Sequence, residues 1–320
     1  MKATEINLLW SIIRTEVDVE SHVQCSCDVG VIKTLPPTPA RNLEGNAMTN
    51  NAQIATSEDE LLLNSVVTAV QSAGSRLEEC FSDLEPNFQN LPDVVAAIYA
   101  NDETSLAILR EPLLAARPGS RWVEDELEGG ELPPGEWWIT DPVEGNINHI
   151  HGMADWCVTA TLVRDNVPVL TAVHIPLAGN TYTAVRGKGA WLDGMRLQAS
   201  KKLDLNAALV GTGQAKPGES KNAFRRIGQS ITAMLETALV VRVSVPATLQ
   251  LIHVSAGRMD VFWQYSQVRS GLVAGALLVE EAGGTISDTR GRPWGLASED
   301  FLAAAPRLHS AAVSVLSTVL

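Results

Sequence analysis

The strongest constraint on the fold is one run of twelve residues, WWITDPVEGNIN at positions 137–148. Its first four residues are aromatic or β-branched, which predicts a buried strand. The strand leads into Asp141 and Glu144, and Gly145 then provides a turn that opens a helix. A carboxylate that ends a buried strand needs a partner, because an isolated charge is costly to bury. The run therefore predicts a polar site where this strand ends.

A second acidic run, from Glu124 to Glu126, follows a short predicted strand at 121–123. Carboxylates at the ends of two strands can hold a hard divalent cation through their oxygens. The helix start after Gly145 would also present free backbone N–H groups to a phosphate. Acidic loops are more often simply solvated, so residue types alone leave both a cation site and a solvated surface open.

The order of the predicted elements indicates a layered α+β or α/β fold, because helices are followed by a strand-rich meander and then by alternating elements. We place the amino-terminal half at 48–205 and the carboxyl-terminal half at 206–320. Periodicity predicts helices from Ser57 and over 94–114, 224–235, 248–256 and 272–281. It predicts strands over 121–123, 137–140, 157–163, 167–175, 181–185, 208–211 and 239–243.

Residues 1–47 differ from the rest of the chain, because they contain three prolines and no sustained periodicity. We expect a poorly structured extension without catalytic content, the alternative being that translation begins at Met48. The Cys25-Ser26-Cys27 segment could bind a metal ion, but reduced and structurally incidental thiols are the preferred interpretation.

Charge and hydropathy exclude some classes of partner. The formal net charge of −13 disfavours nucleic acid, whose binders usually carry a basic patch. No apolar run approaches the roughly 20 residues that span a bilayer, so we expect no membrane association. The apolar stretch at 6–13 lacks a preceding basic region and a small-residue cleavage site, which leaves the cytoplasm as the expected location.

Four blocks of the chain resemble, in the same order, the signature segments of the inositol monophosphatase family. Residues 138–148 are similar to its W-I-x-D-P-[IL]-D-G-T-x-N signature, and Glu124-Asp125 resembles its upstream acidic pair. The segment AVRGKGAWLDG at 184–194 resembles its A-x-x-G-x-G-A-[FW]-x-[ND]-G segment, and residues 272–284 resemble its C-terminal signature. The resemblance covers the chain from Glu58 to the C-terminus.

This resemblance implies alternating layers of helices and sheets, and commonly a homodimer. It also implies hydrolysis of a small phosphorylated metabolite by water, with two or three Mg²⁺ ions as cofactors and Mn²⁺ as the alternative cation. In such a site the cations polarise the phosphoryl oxygens, lower the pKa of the attacking water and neutralise the leaving alkoxide.

The family's ligand set carries over to Glu124, Asp141 and the backbone carbonyl of Val143. Glu124 also matches a catalytic position of the family. Glu144 stands where the family has a shorter aspartate, and Mg²⁺ tolerates such a displacement poorly. Asn146 replaces the threonine that orients the attacking water, and an amide has a different hydrogen-bonding geometry.

The largest departure from the family pattern is Gly271, which stands in place of an aspartate and supplies no ligand for a second cation. Gly145 and Asn146 are expected to bind the substrate phosphate through their N–H groups. Gln264 stands where some members have a substrate-binding glutamate, and Arg269 could place a guanidinium where a cation balanced the phosphate.

Three functions follow from this mixture of retained and lost residues. The first is a divergent Mg²⁺-dependent phosphatase. The second is a catalytically impaired relative that binds a phosphorylated ligand or a protein partner. The third is a fold re-used in a specialised biosynthetic pathway. His149 and His151 are candidates for additional metal ligands, with structural hydrogen bonding as the alternative.

Overall fold

The computed structural model describes residues 57–81, 88–124, 129–213, 218–266 and 268–319. Residues 54–320 form one compact unit. The predicted extension at 1–47 and the Cys25-Ser26-Cys27 segment lie outside the described residues, as do Asp125 and Glu126 of the second acidic run.

The described part of the chain begins with two long helices that pack against each other, α1 (Ser57–Cys80) and α2 (Leu91–Ala116). The predicted start of α1 is confirmed. α2 begins before residue 94, where the sequence placed it, because the side chain of Asn90 caps it. The Asn90 side-chain oxygen accepts a 3.0 Å hydrogen bond from the Asp93 N–H.

The first sheet is an antiparallel meander except at one edge. Its strands, in spatial and chain order, are β1 (Arg121–Trp122), β2 (Glu136–Glu144), β3 (Cys157–Arg164), β4 (Val167–Ile175), β5 (Asn180–Val185), β6 (Gly189–Leu192) and β7 (Met195–Arg196). β1 pairs in parallel with β2. β3 and β4 are joined at Asp165-Asn166, and both residues have the positive φ of a tight hairpin.

The second sheet contains β8 (Leu209–Thr212), β9 (Val240–Val243), β10 (Val261–Gln264), β11 (Thr285–Ser287) and β12 (Phe301–Ala304). Their spatial order is β11-β12-β10-β8-β9, which leaves β9 at an edge. The helices in this half are α4 (Lys221–Leu235), α5 (Ala247–Ser255), α6 (Arg269–Glu281) and α7 (His309–Leu316), while α3 (Asn146–Ile150) follows β2. The change of sheet falls between β7 and β8, although the predicted boundary at 205/206 remains a prediction.

The two sheets alternate with three helical layers. α1 and α2 cover one face of the first sheet, α5 and α6 fill the space between the sheets, and α4 and α7 cover the outer face of the second. The predicted alternation of helix and sheet layers is therefore confirmed. No helix among the described residues is long and apolar enough to cross a membrane.

A partly buried ion network holds the start of β2. Glu136 accepts hydrogen bonds of 2.7 Å from Arg117 Nε and 2.8 Å from Arg164 Nε. Arg164 also pairs at 2.8 Å with Asp59, which is fully buried in α1. The hydrogen bond from Arg117 lowers the pKa of Glu136, and Arg164 lowers it further. This network ties α1, the end of α2 and β3 to the strand that carries the candidate site.

The central helices α5 and α6 pack closely because α6 carries glycine where they meet. A Cβ atom added at Gly275 would lie 2.4 Å from Cβ and Cδ1 of Leu251 in α5, so no larger residue fits without displacement. Gly228, in the middle of α4, is exposed and has no atom within 4 Å of an added Cβ. Replacement by alanine should therefore change the free energy of unfolding in opposite directions at these two helical glycines.

We expect Gly275→Ala to lower the free energy of unfolding by about 1–3 kcal/mol, because it overpacks the contact between α5 and α6. Its matched control, Gly228→Ala, should raise the same quantity by about 0.5–1 kcal/mol through helix propensity alone. Urea unfolding followed by circular dichroism measures both. Equal effects of the two substitutions would contradict the close packing described for Gly275.

Candidate active site

A β-bulge near the end of β2 places two carboxylates on one face of the first sheet. Asp141 pairs with Thr159 of β3 and Glu144 pairs with Cys157, so three steps along β2 match two along β3. In a regular strand, residues three apart point to opposite faces. The extra residue restores them to one face, and Pro142 lies inside the irregularity, where no ladder N–H is needed. The strand predicted at 137–140 therefore continues through the motif.

Glu144 is buried against the first turns of α5 and α6. Its Oε1 accepts a 3.3 Å hydrogen bond from the N–H of Thr248, the second residue of α5. The Thr248 hydroxyl donates a 3.0 Å bond to the carbonyl of Gly271 in the first turn of α6. Only 6% of Glu144 and 9% of Asp141 are exposed, so both carboxylates lie in a largely desolvated site.

The Cys157 thiol lies near both carboxylates. Its thiol is fully buried on the same face of the sheet, and burial raises its pKa well above the ordinary value. The negative charges of Glu144 and Asp141 raise the pKa further. Without a bound cation, Cys157 is therefore a protonated thiol beside the carboxylate pair.

The turn after Glu144 has room only for glycine. Gly145 has a φ of 89°, and an added Cβ would lie 2.7 Å from the carbonyl oxygen of Asp155. The Asn148 amide donates to the carbonyls of Asp155 at 2.7 Å and Val245 at 3.0 Å, which joins the segment before β3 to the segment before α5. These contacts position the short helix α3, whose first residue is Asn146.

The Asn146 side chain is directed toward α2. Its amide nitrogen donates to the Ile98 carbonyl at 2.9 Å and to Asp102 Oδ1 at 2.7 Å. Its amide oxygen accepts a 2.9 Å bond from Asn101. Both amide hydrogens are therefore engaged within the protein, and only the amide oxygen keeps an additional lone pair. The water-orienting role of Asn146 remains a prediction, and this geometry restricts it to that oxygen.

Asp102 is a member of the site that the sequence reasoning did not identify. Burial raises the pKa of Asp102 to about 7, the hydrogen bond from Asn146 opposes the increase, and the charge of Glu103 adds to it. Asp102 precedes Asn146 by 44 residues and lies in an ordinary amphipathic helix. No local pattern marks it, because its significance depends on a contact between α2 and α3.

Glu124 lies at the same end of the sheet but forms an ion pair. The parallel pairing of β1 with β2 places the carboxyl ends of both strands at one edge. The Glu124 carboxylate accepts hydrogen bonds from both terminal nitrogens of Arg110 in α2, one of them at 3.1 Å. Its side chain is 64% exposed. To bind a cation, Glu124 would have to leave this surface ion pair.

The remaining predicted site residues are buried and closely surrounded by other groups of the protein. Val143 is buried in the core between the helices and the first sheet, which leaves only its backbone for the predicted carbonyl role. Arg269 begins α6, is 4% exposed and donates at 3.0 Å to the carbonyl of Gly130. Gln264 ends β10, and its Oε1 would lie 2.8 Å from a Cβ added at Gly213. Their roles in substrate binding remain predictions.

Structural hydrogen bonds explain the two histidines that follow the motif. The ring nitrogens of His149 contact the Leu77 carbonyl at 3.1 Å and the Asn101 amide at 3.0 Å, and burial lowers its pKa. His149 is therefore a neutral donor to Leu77 and acceptor from Asn101. His151 Nδ1 lies 2.8 Å from the Ile147 carbonyl. The structural interpretation is favoured for both.

The buried oxygen donors of the site are of the type that a hard divalent cation prefers. Within the described ranges, no three carboxylate, histidine or cysteine side chains converge closely enough to hold a metal ion. Two buried carboxylates do share a face, and Mg²⁺ is commonly bound by one or two carboxylates while waters and substrate phosphate complete its shell. A second cation does not fit in the same way, because Gly271 supplies no donor and Glu144 occupies the space beside it.

Comparisons with known proteins agree with this architecture. Residues 47–319 match the Inositol monophosphatase family. The Inositol-1-monophosphatase of Rhizobium meliloti is 33% identical over 231 residues, which cover 72% of this chain and 86% of the relative. The Nus factor SuhB of Pseudomonas aeruginosa is 32% identical over 238 residues, with the same two coverages.

Solved structures support the fold. The inositol monophosphatase from Anabaena superposes with a TM-score of 0.70 at 23% identity, covering 82% of this chain and 97% of that one. SuhB of Mycobacterium tuberculosis gives a TM-score of 0.67 at 23% identity, covering 82% and 98%. At this identity the similarity establishes the layered fold and leaves the chemistry to the residues of this chain.

The raised pKa of Asp102 predicts a pH-dependent stability. In the unfolded chain this carboxyl ionises near its ordinary pKa of 3.8, and in the folded protein near 7. The folded state binds the proton more tightly, so this group's contribution to stability falls as pH rises from about 4 to about 7 and is then constant. Asp102→Asn should remove this pH dependence. The free energy of unfolding of the variant, relative to that of the wild type, should therefore increase by about 2 kcal/mol between pH 5 and pH 8.

Urea unfolding of both proteins at pH 5 and pH 8 measures this difference. The exposed Glu103→Gln variant is the control, since it removes a neighbouring charge and leaves the Asp102 carboxyl in place. It should reproduce only a small part of the effect. A constant difference between the wild type and Asp102→Asn at the two pH values would show that Asp102 is ionised throughout this range.

Proposed function

The chain belongs to the inositol monophosphatase family, and from that premise we propose that it is a divalent-cation-dependent phosphatase that hydrolyses a small phosphomonoester. The observation that carries the proposal is the pair of buried carboxylates, Asp141 and Glu144, which the bulge in β2 places on one face. Mg²⁺ prefers oxygen ligands and is commonly bound by one or two carboxylates. We propose that these carboxylates bind one Mg²⁺ ion, with Mn²⁺ as the alternative.

In this proposal Asp141, Glu144 and the carbonyl of Val143 hold the cation, and Glu124 joins them after leaving Arg110. The bound cation would lower the pKa of a water molecule and neutralise charge on the leaving oxygen. The N–H groups of Gly145 and Asn146 would bind the phosphoryl oxygens, and the remaining lone pair of the Asn146 amide oxygen would orient water.

The substrate is proposed only as a class, a small phosphorylated metabolite. A phosphomonoester brings phosphate oxygens that would complete the cation's shell, as Mg²⁺ sites with few protein ligands require. Gln264 is neutral where some family members have a carboxylate, which does not support inositol specificity. Arg269 would add positive charge near the start of α6, where its backbone lies two residues from Gly271.

Glu124 provides the most direct test of this proposal. Glu124→Gln should reduce cation-dependent phosphate release by about 10²-fold or more, because it removes one positioned charged group. Arg110→Gln should strengthen Mg²⁺ binding by about two- to fivefold, since it releases Glu124 from an exposed ion pair of small energy. Calorimetry with Mg²⁺ and phosphate release from a panel of phosphomonoesters measure these effects.

Glu131→Gln is the matched control, because it removes an exposed glutamate charge seven residues further along the chain. It should leave both measurements unchanged. Undiminished release by Glu124→Gln would refute the role of Glu124 and leave Asp141 and Glu144 as the only side-chain ligands in the proposal. Absence of both cation binding and phosphate release in the wild type would refute the phosphatase proposal itself.

The second candidate is a catalytically impaired relative that binds a phosphorylated ligand or a protein partner. It is favoured by the engagement of the Asn146 amide with α2 and by the pairing of Glu124 with Arg110. Some similar proteins are called Nus factor SuhB, a name that does not refer to hydrolysis. Phosphate release by the wild type that depends on Mg²⁺ would exclude this candidate.

We also propose that the protein forms a homodimer in the cytoplasm. Strand β9 supports the dimer, because it is an edge of the second sheet and carries exposed apolar side chains. Leu239 is 67% and Val243 is 56% exposed beside Val240. An apolar edge strand left in water is a site for pairing with another chain.

Val243→Lys should convert such a dimer to a monomer, because it places a charge within the proposed interface. Light scattering coupled to size-exclusion chromatography measures the mass. Met195→Lys, an exposed apolar position on the edge strand of the other sheet, is the control and should leave the mass unchanged. A wild-type monomer at micromolar concentration would contradict the proposal.

A further inference from the structure

We propose that Glu144 and Gly271 form one coupled unit that admits a single carboxylate and closes the position of a second cation. The steric part of this proposal is independent of function. Its cation part rests on the proposed function, since it concerns the same site. A replacement that restores a carboxylate at position 271 alone would then fail to rebuild a second cation site.

The first argument is steric. A Cβ atom at residue 271 would lie 3.2 Å from Glu144 Oε2 and 3.4 Å from Oε1, inside ordinary van der Waals contact. The carboxylate is 6% exposed, and the N–H of Thr248 holds its Oε1. A Cβ atom at residue 271 would require the carboxylate to shift by a few tenths of an ångström, against that hydrogen bond. The absence of a side chain at Gly271 thus leaves room for the Glu144 carboxylate.

The second argument is electrostatic. Glu144 lies beside the first turns of α5 and α6, which contain Thr248 and Gly271. Each helix start carries roughly half a positive elementary charge, so two starts together offset about one carboxylate. A carboxylate at residue 271 would add a further negative charge a few ångströms from Glu144, on a face that already carries buried Asp141, which is unfavourable in a desolvated site.

These arguments give Glu144 two roles. It is a ligand for the one cation of the proposed function, and its length closes the space in which a second cation would be held. The Thr248 hydroxyl, which bonds to the carbonyl of Gly271, fixes the distance between the two helix starts. Positions 144 and 271 together thus supply one carboxylate. An aspartate at each position would supply two.

A double-mutant cycle on the metal-free protein in EDTA tests the steric coupling. Glu144→Asp shortens the side chain, Gly271→Ala adds the Cβ, and the third variant combines them. We expect Gly271→Ala to lower the folding equilibrium constant in the wild type and to be neutral or favourable beside Asp at position 144. The two effects should differ by about fivefold or more, within the range of directly interacting residues.

Gly228→Ala supplies the control for helix propensity, because an added Cβ there meets no atom within 4 Å. Its effect should be the same with Glu or Asp at position 144. If Gly271→Ala also has the same effect in both backgrounds, the two positions are independent and the proposal is wrong. Neither result depends on catalysis, because no cation or substrate is present.

The electrostatic and cation parts are tested with Gly271→Asp and its neutral isostere Gly271→Asn. In EDTA at pH 8 the aspartate should lower the folding equilibrium constant more than the asparagine, by about tenfold. Titration with Mn²⁺ should give one ion per chain for the wild type and for Gly271→Asp. The Glu144→Asp/Gly271→Asp variant should bind a second ion.

Two Mn²⁺ ions per wild-type chain, or a second ion in Gly271→Asp alone, would overturn the closure of the second position. Equal stabilities of the aspartate and asparagine variants would overturn the charge argument. If the wild type binds no Mn²⁺, the proposed function and the cation part fail together, while the steric coupling is still decided by the metal-free cycle.

Discussion

The bulge in β2 is the constraint on which the rest of the site depends. One extra residue between Asp141 and Glu144 places both carboxylates on the face of the sheet that meets α5 and α6. Without it, one of them would point into the apolar core under α1 and α2. The same irregularity accommodates Pro142, whose carbonyl accepts a buried 2.7 Å hydrogen bond from Ser105 in α2. The strand and the helical layer behind it are thus joined at the point where the backbone departs from regular pairing.

The site combines retained and altered features of the inositol monophosphatase family. The strand, the glycine turn and the buried Asp141 are present, while Glu144, Asn146 and Gly271 differ in ways that the neighbouring residues accommodate. Asn146 bonds to α2, and Glu144 uses the space beside Gly271. These substitutions therefore belong to a well-packed polar region. A buried polar group without partners would be costly, and the contacts of Asn146 and Glu144 avoid that cost.

Local periodicity was sufficient to predict most of the fold. The apolar run between two turns predicted β4 with its observed bounds at 167–175, and the apolar face from Ser57 located α1. Some errors were at element ends, where Asn90 extended α2 and the bulge extended β2. Others were whole elements that the sequence analysis did not predict, namely β6, β7, β10, β11, β12 and α7. The motif also located Asp141 and Glu144. Their partners could not be predicted, because Thr248 follows Glu144 by 104 residues and Asp102 precedes Asn146 by 44. Such contacts arise from the order of the layers and leave no periodic signal.

The close approach of Glu144 to Gly271 has an evolutionary consequence. Side-chain length at the first position and side-chain size at the second compete for one volume, so mutations at the two positions cannot accumulate independently. A longer side chain at residue 144 is then better tolerated where residue 271 has none. An alignment of relatives should accordingly contain aspartate at 144 with a larger residue at 271, or glutamate with glycine, and few of the mixed pairs.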